Sequence, residues 1–84
     1  MNAARILNTA QAEAVYSAMC ALNNVGAKVD VTFGNPDNGI HVYEYKWGGA
    51  GKVYVYRMSI GTVIGDECYA DQSAFATAYG LAQG

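Results

Sequence analysis

The residues able to do chemistry are few and far apart in this chain of 84 residues. His41 is its one histidine, and Cys20 and Cys68 are its two cysteines. A thiol nucleophile needs a base and an orienting group, and Cys68 with His41 and one of Asp66 or Glu67 is the only such assembly the inventory allows. Spacing does not favour it, because His41 has no carboxylate or second ligand beside it in sequence. Its period places it among aromatic residues, where a lone histidine is ordinarily a satisfied packing residue. No CxxC or Cys/His pattern marks a metal site, and two cysteines are too few for a disulfide scaffold, which suggests a reducing compartment. Cys20, between Met19 and Ala21, reads as a small core residue. Gly48-Gly49-Ala50-Gly51-Lys52 has the look of a phosphate cradle, but a P-loop requires glycine where Lys46 stands and Ser or Thr where Val53 stands. A glycine hairpin accounts for it. The expectation is a protein without catalytic residue, cofactor or metal.

Surface chemistry is more informative than catalysis. Seven tyrosines and one tryptophan exceed what a small core needs. Tyr and Trp dominate binding hot spots, so Trp47 and Tyr69, near loop ends, are candidate anchors for a protein partner. Asp66, Glu67 and Asp71 concentrate negative charge, which would dock a basic patch and speed association, although Asp71 also suits a helix cap. Five Lys+Arg against seven Asp+Glu leave a net charge of -2. That supplies neither the basic footprint of a nucleic-acid binder nor enough negative charge to imitate DNA.

An apolar fraction of 52% with 14% charged residues indicates one folded domain. The first residues lack the apolar run of a signal peptide, and no stretch approaches the ~18 apolar residues of a membrane helix, so a cytoplasmic protein without membrane contact is expected.

The elements follow from periodicity. From Thr9 to Asn24, Ala12, Val15, Tyr16, Met19 and Leu22 form an amphipathic stripe, with Asn8 or Thr9 as N-cap and Gly26 as stop. The period becomes two in Lys28–Phe33. A turn-rich stretch, Gly34–Gly39, separates this strand from a second at about Ile40–Trp47, and the glycine loop leads to a third from Lys52 to Ile60. Thr62–Ile64 either extends the third strand past a bulge or returns as a short fourth, and Gly65-Asp66-Glu67 breaks the pattern. Asp71 to Leu81 closes the chain as a helix. The predicted class is α+β: helix, three-stranded antiparallel meander, helix.

A four-residue glycine loop would pair Tyr45 with Tyr54, Tyr43 with Tyr56 and His41 with Met58, making one face aromatic. Val29, Val31 and Phe33 are expected beside it, with both helices covering it. By elimination the other face, with Val42, Glu44, Lys46, Val53, Val55 and Arg57, is exposed, and Glu44 pairs diagonally with Arg57. That face and the open edge at Lys28–Phe33 are the predicted binding surface or homodimer interface.

A short, weakly acidic, tyrosine-rich chain without a catalytic motif, laid out as helix, meander and helix, resembles the small phage-encoded anti-CRISPR proteins. Many of these are compact α+β domains that disable a CRISPR effector by binding it. The resemblance implies a non-enzymatic inhibitor in an infected bacterium that binds a CRISPR effector protein or complex stoichiometrically and blocks target recognition or cleavage. The group shares no motif, so the candidate contact residues come from the surfaces alone: Trp47, Tyr69, Asp66, Glu67, Val53, Val55 and Arg57. The alternatives are a self-associating subunit joined through the sheet edge and a small Cys-dependent enzyme.

Overall fold

Helix α1, Thr9–Asn23, begins where Asn8 and Gln11 close a reciprocal capping box. The Asn8 Oδ1 accepts the Gln11 N–H at 2.8 Å, and the Gln11 Oε1 accepts the Asn8 N–H at 3.0 Å, so two otherwise orphaned donors are satisfied. The computed structural model describes residues 5–47 and 50–81, without the side chains of residues 46, 47 and 50. Ala12, Val15 and Met19 make the buried stripe of α1. The expected end at Asn24 is displaced by one residue, Asn24 serving as C-cap.

Four strands follow: β1 (Asp30–Phe33), β2 (Ile40–Trp47), β3 (Ala50–Ser59) and β4 (Thr62–Tyr69). They form one antiparallel sheet in the order β1-β2-β3-β4, so the predicted meander has one strand more than expected. Thr62–Ile64 opens β4, and Gly65-Asp66-Glu67 continues it. The polar residues are accommodated because the strand has alternating sides, and the register slips between Arg57 and Met58 at its start. Helix α2, Gln72–Ala78, is shorter than the predicted Asp71–Leu81. Asp71 is its N-cap, accepting the Ala74 N–H at 2.7 Å. Gly80, at φ +68°, ends it by taking the left-handed conformation while the Leu81 N–H bonds the Ala76 carbonyl at 2.9 Å.

The β2–β3 register also differs from expectation. Trp47 pairs with Ala50, Tyr45 with Lys52, Tyr43 with Tyr54 and His41 with Tyr56. Ala50 and Gly51 therefore belong to the strand, and the expected loop is reduced to Gly48 and Gly49, which lie outside the described residues. A shift of two keeps every side chain on its predicted face. Strand β1 is offset by one instead: Val31 meets Val42 and Phe33 meets Ile40, placing them on the valine side.

The decisive correction concerns which face is covered. Val42, Val53 and Val55 are fully buried and form one cluster with Ala12, Val15 and Met19 of α1, Phe75 of α2, and Leu7 and Val29. The tyrosine side is left open. Valine loses nothing polar on burial, whereas each tyrosine carries a hydroxyl that requires a partner, so the valine side is the cheaper one to cover. Glu44 is enclosed with the valines at 5% exposure. It is tolerated because its carboxylate accepts the Val29 N–H at 3.0 Å and the Gln72 Nε2–H at 2.8 Å.

Candidate functional site

The uncovered side of the sheet presents two cross-strand rows. One runs Asp30, Tyr43, Tyr54, Cys68, and the next Thr32, His41, Tyr56, Asp66. Tyr45 and Lys52 extend the surface at one end. The strands place these side chains together because residues two apart share a face, and antiparallel pairing sets the tyrosines of β2 and β3 side by side. The Tyr43 ring centroid lies 5.3 Å from Tyr54 and 5.8 Å from Tyr56, with planes inclined by 22° and 21°. Tyr54 and Tyr56 are 6.2 Å apart and nearly coplanar in orientation, at 1°. These are the separations of offset aromatic pairs, so three rings form one stiff platform.

Two carboxylates flank it. Asp30 at the β1 edge bonds the His41 Nε2 at 2.8 Å, with the two side chains 73% and 41% exposed. A surface pair of this kind contributes only ~0.2–1 kcal/mol. His41 also lies 5.6 Å from the Tyr43 ring. On the opposite side, exposed Asp66 pairs in register with Tyr56. A hydrogen bond with Tyr43, then partial desolvation, with negative Asp66 among the lesser causes, pushes the Tyr56 phenol up to about 12. Desolvation first and neighbouring Cys68 next raise Tyr54 as well. Both rings therefore stay neutral at physiological pH.

The predicted contact residues are dispersed. Val53 and Val55 are core residues and present nothing to a partner. The Trp47 side chain lies outside the described residues. Tyr69 belongs to the covered side, edge-on to Phe75 at 5.6 Å, with its hydroxyl donating to Glu67 Oε1 at 2.7 Å. Glu67 also accepts from the Tyr79 hydroxyl at 2.5 Å and the Ile6 N–H at 3.1 Å. Arg57 is exposed at the rim of the covered side, where its Nη2 donates to the Ile6 carbonyl at 3.0 Å instead of meeting Glu44. The expected acidic cluster is thus divided among three duties: Asp66 faces the tyrosines, Glu67 ties down residues 6, 69 and 79, and Asp71 caps α2. Of the predicted contact set, Asp66 alone among the described side chains sits on the open face.

Cys68 and His41 are not brought together. Strand β3 lies between their strands, about 10 Å by sheet spacing, and His41 turns its bond toward Asp30. Cys20 is exposed rather than in the core, since it falls one residue past the buried Met19 on the helix. Among the described residues no three His, Cys, Asp or Glu side chains are grouped to hold a metal ion, and no helix is long and apolar enough to cross a membrane.

Sequence reasoning found the tyrosine stripe but assigned it to the core. The Asp30–His41 contact escaped it because it joins residues 11 apart through the β1–β2 register. No family model matches the chain, and no curated protein or solved structure matches it either.

Proposed function

We propose that the protein acts without catalysis, by stoichiometric binding of a larger protein or ribonucleoprotein through its tyrosine face, and that this partner is a CRISPR effector whose target recognition or cleavage is blocked. The observation that carries the binding reading is the open platform of Tyr43, Tyr54 and Tyr56 on the side of the sheet away from the core. Tyrosine rings left in water cost nothing polar, yet they offer large and conformationally stiff contact area, which is the composition of a binding hot spot. A face of four short strands also supports the ~800 Å² per partner of a standard interface. The effector identity rests on the resemblance of type drawn from the sequence.

Purified CRISPR effectors of several types, each mixed with the protein, provide the test. One effector is expected to co-elute with it at a fixed ratio and to lose target cleavage. A Tyr54→Ser, Tyr56→Ser double variant that folds normally is expected to restore cleavage. Unimpaired cleavage by every effector would refute the CRISPR assignment. Inhibition that survives the double variant would move the contact off this face.

Self-association is the second reading, favoured by the strand order, which leaves β1 and β4 as sheet edges with unpaired backbone groups. Light scattering across a concentration series distinguishes it, since a mass that doubles with concentration supports it.

A further inference from the structure

The tyrosine face has a charge pattern that narrows the chemistry of what it binds. Asp30 and Asp66 stand at opposite edges of the ring platform, both exposed, one row apart along the strands. Three strand spacings combined with the one-row offset of two residues separate them by about 16 Å. Between them lie rings, Thr32, His41 and Cys68, while the cations Lys52, next to Tyr45, and Lys28, two residues before Asp30, stand beyond one end of the platform. A neutral aromatic surface with a carboxylate at each margin suits a planar cation that stacks on a ring and donates sideways to an oxygen pair. Guanidinium does both, whereas an ammonium is a compact, strongly hydrated point charge with no plane to stack. Charge also decides against the other common ligand of stacked aromatics. Single-stranded nucleic acid needs a positive groove along its backbone, and here a carboxylate stands at each margin of the rings, with Lys28 and Lys52 at one end only.

We infer that the face receives an extended, arginine-bearing protein segment, one guanidinium stacking on Tyr56 against Asp66 and a second on Tyr43 against Asp30. The inference rests on the reading of the tyrosine face as the binding surface, and is independent of whether the partner is a CRISPR effector. An extended chain advances about 3.3 Å per residue, so arginines four positions apart, which share one side of the chain, span about 13 Å, and their long side chains reach the remaining distance of about 3 Å to the two carboxylates. The guanidinium at Asp30 would replace His41 as that carboxylate's partner. Since the His41–Asp30 pair is solvent-exposed, little opposes the exchange.

The test uses blocked peptides of glycine and serine with two arginines at positions i and i+4, a lysine counterpart, and an arginine peptide with the pair adjacent. Binding is followed by the ring resonances of ¹³C-labelled tyrosine. The i, i+4 arginine peptide is expected to shift Tyr43, Tyr54 and Tyr56 and to bind about tenfold more tightly than the lysine peptide, through two added ring contacts. Asp66→Asn, a change at an exposed position, is expected to weaken it several-fold with the melting temperature unchanged. Equal affinity for lysine, no ring shift, insensitivity to Asp66→Asn, or stronger binding of oligo-dT would each overturn the inference. Effector inhibition through this face together with equal lysine and arginine affinity would sink the inference and leave the proposed function standing. The reverse pattern, arginine-selective binding with no effector inhibited, would do the opposite.

Discussion

Glu67 carries more of the structure than its position in an acidic run suggests. Its two oxygens accept from the hydroxyls of Tyr69 and Tyr79 and from the Ile6 N–H, and the Tyr79 hydroxyl in turn accepts the Leu7 N–H at 3.3 Å. Arg5 joins the same group, its guanidinium 5.9 Å from the Tyr79 ring centre. One carboxylate thereby fastens the segment before α1 to both β4 and α2. Tyr79→Phe removes a donor to a charged acceptor and strands the Leu7 N–H, so it is expected to cost about 1–3 kcal/mol in urea unfolding. The same cluster sets an alkaline limit. Burial first, then the hydrogen bond to Glu67, pushes the Tyr69 phenol up to about 12, and the same two causes in the same order raise Tyr79. At pH 9 both phenols keep their protons in the folded and unfolded states alike, so their contribution is complete. Above the ordinary value of 10 the unfolded chain releases protons that the folded chain retains, and stability falls toward pH 12. The urea midpoint is therefore expected to be lower at pH 11 than at pH 9, with the drop reduced in a Tyr69→Phe, Tyr79→Phe variant.

At the scale of elements, the β1–β2 and β3–β4 turns depend on one another. The Asn35–Gly39 loop is braced by its own Asn35 side chain, which accepts the Asp37 N–H at 2.8 Å, and it then bonds the β3–β4 turn. The Asn38 Oδ1 accepts the Ile60 N–H at 2.8 Å, and the Asp37 carbonyl accepts the Gly61 N–H at 3.0 Å. Gly39 permits this closure: a Cβ there would lie 2.2 Å from the Phe33 carbonyl oxygen and 2.6 Å from that of Asn35. Both are backbone atoms that cannot swing aside. Gly39→Ala is expected to cost about 1–3 kcal/mol, read as a lowered melting temperature. Ile60 stands at the first centre of a two-residue hairpin turn with φ +48° and 84% exposure. A β-branched residue is strained there, and Asn is among the residues that such turns prefer. Ile60→Asn is accordingly expected to stabilise by about 1 kcal/mol in the same measurement, and loss of stability would contradict the strain argument.

For the whole molecule, alternation along β3 separates folding from binding. Val53 and Val55 point into the cluster shared with both helices, while Tyr54 and Tyr56 point away from it. Val55→Ala is expected to destabilise by about 2 kcal/mol through lost burial and the cavity left behind, and to alter partner binding only in proportion to unfolding. Tyr54→Ser is expected to do the reverse, weakening binding in calorimetry while changing stability less than Val55→Ala does.

Much of this was legible in the chain itself. The three-to-four-residue spacing of Ala12, Val15 and Met19, the caps at Asn8 and Asp71, and the period-two runs determined the two helices, the first three strands and, within each strand, which side chains share a face, though the sequence set Val31 and Phe33 beside the wrong face of β2. Those features depend on neighbours within a few residues, which sequence displays directly. The sequence leaves strand β4 undecided at Thr62–Ile64 and hides its continuation, because Gly65-Asp66-Glu67 reads as a break unless Arg57, Val55 and Tyr56 are there to pair with it. Only the tertiary structure decided which face of the sheet the helices cover, since alternation presents two candidate faces and is silent on which is buried. The choice fell to the cost of enclosing hydroxyls against that of enclosing valines, and to whether buried Glu44 could find Val29 and Gln72. That outcome turned Val53 and Val55 from contact residues into core and put the tyrosines, with Asp30 and Asp66 at their margins, on the surface.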